Sequence, residues 1–261
     1  MTARTTPADH MMDGLPGFVV NPSASGPIVL VCEHASHFIP DAYDGLGLPE
    51  NARQSHIAWD PGAFEVAVLL SHQLDAVLVA GGISRLVYDC NRPPEAPDAM
   101  PARSEMFDVP GNIDLPDTDK AVRVAAIYAP FRTVVAEAFK AASRDVLVTI
   151  HSFTPIYRGQ PRAVEIGVLH DADARLADAM LDRCTAHTKL TVKRNAPYGP
   201  EDGVTHTLQV DALPTGRLNV MIEIRSDLIE TSDMQASVAD MLGGWLKDAV
   251  GSINAHAEAK C

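Results

Sequence analysis

The stretch IVLVCEHASHFIP, from Ile28 to Pro40, changes character halfway along. Ile28 to Cys32 is a short continuous apolar run with β-branched residues. Such a run fits a strand covered on both faces better than a helix. It stops abruptly at Glu33-His34-Ala35-Ser36-His37. Ionisable side chains at the carboxyl end of a central parallel strand lie where open α/β sheets place their ligands. A carboxylate and two imidazoles so close together are costly to bury without a partner or a task.

Working outward, residues 1–25 are rich in Pro, Gly, Ser and Met and predict a loose lead-in that packs late or not at all. Residues 26–254 predict a single α/β domain, followed by a short tail. Within it, Ala63–Leu74 has helical spacing on a broad apolar face, and short strands are expected at Ala76–Val79 and Ser84–Tyr88. Residues 95–119 are full of Pro, Asp and Gly, and a loop of that length suggests a functional segment or a lid. Lys120–Ala142 predicts a long helix that Pro130 should kink or divide. DVLVTI (145–150), AVEIGVL (163–169), a short run at 190–193 and LNVMIEI (218–224) predict further strands, with helices at 172–188 and 232–253. Strands alternating with helices imply a mostly parallel, mixed sheet flanked by helices on both faces.

Composition narrows the function. The 261 residues carry a net charge of −13, with 46% hydrophobic and 21% charged residues, which fits a folded soluble domain. An acidic chain is a poor general nucleic-acid binder. No run approaches the ~18 apolar residues of a membrane span. The N-terminus lacks the basic start and apolar core of a signal peptide, so a cytoplasmic location is expected. Cys32, Cys90, Cys184 and Cys261 are scattered without CxxC pairs and read as free thiols.

Three apolar strands end in residues that suit a metal site: His34, His151 and Glu223. Strand ends of one parallel sheet share a rim, so residues remote in sequence meet there. Asp60, just before the first helix, adds a carboxylate, although an N-cap is its bland alternative. Two imidazoles and a carboxylate, with one position left to water, is the ligand set of a catalytic zinc ion. A further carboxylate, not bound to the metal, can take a proton from that water. Glu33 and His37 are rival ligands that the sequence does not separate from Asp60. A second group is cationic: Arg85, Asn91-Arg92, and Arg225 two residues after Glu223. Arg grips carboxylates by paired hydrogen bonds, so these residues suggest a small anionic ligand. Internal ion pairs, such as Arg92 with Asp89 or Arg225 with Asp227, are the alternative. Ser36 and Ser152 lie beside His residues but not in a GxSxG elbow, and no phosphate loop is present.

The segments VCEHASHFIP (31–40), AWDPGA (58–63), SRLVYDCNRPP (84–94), IHSFTP (150–155), NAPYGPEDGVTHTL (195–208) and IEIRSDLI (222–229) carry a resemblance to the N-formylglutamate amidohydrolase family. The resemblance implies a fold like that of zinc-dependent exopeptidases and metal-assisted hydrolysis of an N-formyl or related N-acyl amide on an acidic amino acid. It implies His34, His151 and Asp60 as ligands of a divalent metal, with zinc expected, and Glu223 as general base. Arg85, Asn91, Arg92, Ser152 and Arg225 would face the substrate. The CEHAS start departs from the Pro-His-Ser-Gly type associated with the histidine-degradation enzymes, which marks a side branch whose substrate can differ.

Overall fold

Runs without polar alternation form the interior of a seven-stranded sheet in the computed structural model, which describes residues 10–140 and 144–258. In chain order the strands are β1 (Phe18–Val20), β2 (Ile28–Cys32), β3 (Val77–Ala80), β4 (Val146–Phe153), β5 (Ile166–Leu169), β6 (Val192–Arg194) and β7 (Leu218–Arg225). Across the sheet their order is β1-β3-β2-β4-β7-β5-β6. β3, β2, β4 and β7 form a parallel centre. β1 runs antiparallel to β3, and β5 antiparallel to β7, so the sheet is mixed as expected. β2 pairs with β3 on one side and with β4, much later in the chain, on the other. That reversal of strand order opens a crevice at the carboxyl ends of β2 and β4, where α/β sheets bind ligands.

Both sheet faces are covered, which is why the central strands read as unbroken apolar runs. On one face Leu30, Ile150 and Val220 pack under α1 (Ala63–Gln73), α4 (Arg175–His187) and α6 (Ser232–Glu258). The Trp245 indole donates to the Met180 carbonyl at 2.7 Å and pins α6 to α4. On the other face Val31, Leu147 and Met221 pack under α3 (Ala129–Ala138) and α5 (His206–Asp211), together with Leu86, Val87 and Tyr88. A shorter helix, α2 (Asp117–Arg123), leads through one π-helical turn into α3, so the chain is interrupted just before Pro130. Proline has no N–H to give to a continuous helix, which accounts for the break.

Several expectations are corrected. Residues 1–9 lie outside the described residues, but Phe18–Val20, inside the expected loose lead-in, form an edge strand with Phe18 and Val20 buried. Ser84–Tyr88 is not a strand. The Ser84 hydroxyl accepts the Leu86 N–H and the Ser84 carbonyl accepts the Val87 N–H, which folds the run into a buried turn. Residues 95–119 carry a two-stranded hairpin, Arg103–Ser104 with Phe107–Asp108. Cys261 lies outside the described residues, and Cys32, Cys90 and Cys184 are free thiols. Among the described residues no helix is long and apolar enough to cross a membrane.

Candidate metal centre and active-site cleft

β2 ends at Cys32, and the next two residues deliver Glu33 and His34 to the crevice. β4 continues to Phe153, so His151 is still inside the strand, and Glu223 of β7 is its register partner. Side chains paired in register on neighbouring strands project from the same face. Glu223 and His151 therefore stand side by side. β5 brings Gly167 opposite Glu223 on the other flank. A Cβ at residue 167 would lie 2.4 Å from the Ala196 carbonyl oxygen and 3.1 Å from the Glu223 Cβ, so glycine is required there. Asp60 is fixed by its backbone N–H, which donates to the His34 carbonyl at 2.9 Å. Gly62, at φ +80°, then turns the chain into α1 where a Cβ would strike the Ile229 carbonyl.

Three atoms converge. Asp60 Oδ2 is 3.2 Å from His34 Nδ1 and 2.8 Å from His151 Nδ1. His34, Asp60 and His151 are all buried, and their ligand atoms lie within 4.8 Å of one another. Ligands about 2.0–2.1 Å from a tetrahedral zinc stand about 3.3 Å apart, so the observed spacing suits that ion. The far edges of the rings are also occupied. His34 Nε2 lies 2.7 Å from Asp89 Oδ1, and His151 Nε2 lies 3.2 Å from Glu33 Oε2. A carboxylate on the second nitrogen places the ring proton there and leaves Nδ1 free to bind a cation. The residues present fit a metal, by geometry and by donor chemistry. Asp60 makes no cap bond to α1, so the N-cap alternative does not describe its side chain. His37 is exposed, with its ring edge against Trp59, and is not among the converging atoms.

The electrostatics point the same way. Burial works to raise Asp60 and Asp89, but the His34 charge outweighs it, helped by His151 at Asp60 and by Arg85 at Asp89, and both carboxyls sit well below their usual range. Burial works to lower His34 and His151. The carboxylates around them overcome it, so both rings titrate above their usual range. The cluster thus favours positive charge between its carboxylates. Glu223 behaves differently. Burial, reinforced by the Asp60 charge, pushes it up to about 7 against the pull of His151. Its Oε2 is buried without a hydrogen-bond partner. A carboxyl of that kind can accept and return a proton near neutral pH.

The site opens into a cleft of about 390 Å³, lined by His34, Asp60, His151 and Glu223 and walled by parts of 98–105. Arg85, Asn91, Arg92 and Ser152 line it as well. Arg85 is held by Asp89 at 2.8 Å and Asp60 at 3.4 Å. Arg92 Nε donates to Asp98, and its Nη1 donates to the Asn91 and Gly203 carbonyls, so the side chain is braced at the cleft. Asn91 holds the 204–207 segment, accepting the Thr207 N–H and donating to the Val204 carbonyl. The Ser152 hydroxyl is spent on the Pro61 carbonyl at 2.9 Å. Arg225 stands apart from the lining. It pairs with Asp227 at 2.7 Å and Glu165 at 3.4 Å, so the internal-pair alternative describes it. Asp89 and Tyr198 were not among the expected site residues, yet both line the cleft. Cys90 is buried, burial raises its thiol, and the Ser36 hydroxyl is taken by Asp13, so neither suits a nucleophile.

The model of the N-formylglutamate amidohydrolase family matches residues 26–230. No curated protein matches the sequence. A crystal structure of a gene product from Agrobacterium tumefaciens is 55% identical, with a TM-score of 0.90, over 92% of this chain and 97% of that one. The crystal structure of N-formylglutamate amidohydrolase from Ralstonia eutropha JMP134 is 20% identical with a TM-score of 0.61, over 90% of this chain and 97% of that one, a likeness of fold. The match over residues 26–230 takes in His34, Asp60, His151 and Glu223, and the chain belongs to the N-formylglutamate amidohydrolase family, hydrolases of amide C–N bonds.

Proposed function

We propose that this chain is a metal-dependent amidohydrolase that removes an N-formyl, or related N-acyl, group from an acidic amino acid such as N-formylglutamate. The observation that carries the reading is the convergence of His34 Nδ1, His151 Nδ1 and Asp60 Oδ2 beside Glu223 in one cleft. A divalent cation, with zinc the expected one, would be held by those three atoms and would supply a Lewis acid and an acidified water. The protein's own groups do the rest. Asp89 holds His34 with Nδ1 toward the centre. Glu223 takes the proton of the attacking water at its carboxylate and returns it to the departing amine nitrogen, so acid and base are one group used twice. Arg92 and Arg85 face the cleft and would receive the carboxylates of the substrate. In a chain of net charge −13, such a local pair is what draws an anion in. Burial of the centre strengthens each of these interactions.

The test is a hydrolysis screen of N-formyl, N-acetyl and N-succinyl amino acids, with and without added divalent metal. Metal-dependent release of an acidic amino acid is the expected result. Tight binding of the same compounds without turnover at any metal concentration would make the chain a binding protein and overturn the reading.

A further inference from the structure

Glu33 is a buried acid that is neither one of the three converging groups nor part of the cleft lining. Its side chain has 0% exposure, and its ion-pair partner among the described residues is His151. His151 Nε2 and both Glu33 oxygens lack an aligned hydrogen bond, although Nε2 and Oε2 face each other at 3.2 Å. Two orphaned buried groups of opposite character, facing at that distance, are expensive unless they serve each other. The neighbouring imidazole shows how they would. His34 has the same design, with Nδ1 toward Asp60 and Nε2 on a carboxylate, but its carboxylate, Asp89, is shared with Arg85. Glu33 forms no ion pair with a guanidinium among the described residues, and His151 is the strongest charge acting on it, ahead of His34 and the Thr207 side chain.

We propose that Glu33 is a positioning residue for the cation. It receives the Nε2–H of His151, fixes the ring with Nδ1 toward the centre, and makes that ring the stronger of the two imidazole donors. The inference rests on the metal-dependent reading above. It also assigns Glu33 a place that the sequence left open between ligand and bystander: behind the ligand, in contact with it, and out of reach of substrate.

The test is metal affinity, measured without turnover. The full chain is stripped with chelator and titrated with Zn²⁺ in competition with a chromophoric chelator. The visible spectrum of the Co²⁺ form is recorded alongside. Glu33→Gln keeps the shape and removes the charge. It should weaken Zn²⁺ binding roughly 10–100-fold and shift the Co²⁺ bands, with the metal-free variant still folded by circular dichroism. Wild-type protein that binds Zn²⁺ together with a variant of equal affinity and identical Co²⁺ spectrum overturns this inference alone. Wild-type protein that binds neither ion overturns the metal reading and this inference together. If Glu33→Gln does not fold, Glu33→Asp, one methylene too short for the contact, is measured instead. The same weakening supports the assignment, and unchanged affinity overturns it.

Discussion

Removing the charge of Glu223 should make the metal-free protein more stable above neutral pH, even as it destroys the activity. Glu223 is buried and its carboxyl is raised from 4.5 to about 7. A raised folded-state value means that the native protein holds a proton the unfolded chain has already lost. The stabilisation this gives is complete below the unfolded value and is lost as pH climbs through about 7. The gap between 4.5 and about 7, at about 1.36 kcal/mol per unit, corresponds to about 3 kcal/mol by pH 8. Glu223→Gln cannot ionise and escapes that loss. In chelator, the variant should gain on wild type by less than about 1 kcal/mol at pH 5 and by about 3 kcal/mol at pH 8. For a chain of this length the pH 8 gain is a rise of roughly 6–12 °C in melting temperature. Thermal and urea unfolding at the two pH values measures it. Excess Zn²⁺ should shrink the gap, because a cation beside Glu223 favours its charged form. An advantage equal at both pH values, or a variant less stable than wild type at pH 8, would refute the assignment of a strained, buried carboxyl.

Three further outcomes follow from the same geometry. With metal restored, Glu223→Gln should lower kcat by on the order of 10³-fold while metal content stays at the wild-type level, because the lost group carries a proton and not the ion. Arg92→Ala should raise KM for an N-formyl acidic amino acid by roughly 10–150-fold, the cost of one charge-assisted hydrogen bond, in steady-state assays. Arg225→Ala, outside the cleft, should leave KM near wild type, and the reverse ranking would sink the assignment of the anion site. Gly167→Ala pushes a methyl against the Ala196 carbonyl and the Glu223 Cβ. It should cost about 1–3 kcal/mol of stability and lower kcat more than it raises KM, read by unfolding and kinetics side by side.

The central strands and the polar residues at their ends were legible because burial on both faces erases alternation and a charge ends the run. His34, His151 and Glu223 announced themselves in that way. Glu33 was legible only as a rival ligand and Asp89 only as a possible ion pair for Arg92; their places behind His151 and His34 were not. Which nitrogen of an imidazole meets which carboxylate depends on register and ring orientation, and neither leaves a periodic trace in the chain. Arg225 misled for a related reason. It is the last residue of β7, in register with Phe153, but Asp227 and Glu165 take its guanidinium, and the spacing of two does not record that choice of partner. Ser84–Tyr88 misled because a short apolar run looks the same in a strand and in a buried turn. Phe18–Val20 was too short to stand out from its Pro- and Gly-rich surroundings, and its pairing with β3 is a tertiary fact.

The most direct measurement is the metal content of wild-type, His34→Ala and His151→Ala proteins, purified without chelator, alongside their amidohydrolase activity. One equivalent of a divalent metal in the wild type, lost together with activity in both variants and in chelator-treated wild type, is the predicted result. Full activity in a chelator-treated, metal-free wild type, or unchanged metal stoichiometry in His151→Ala, would contradict a single cation held between His34, Asp60 and His151.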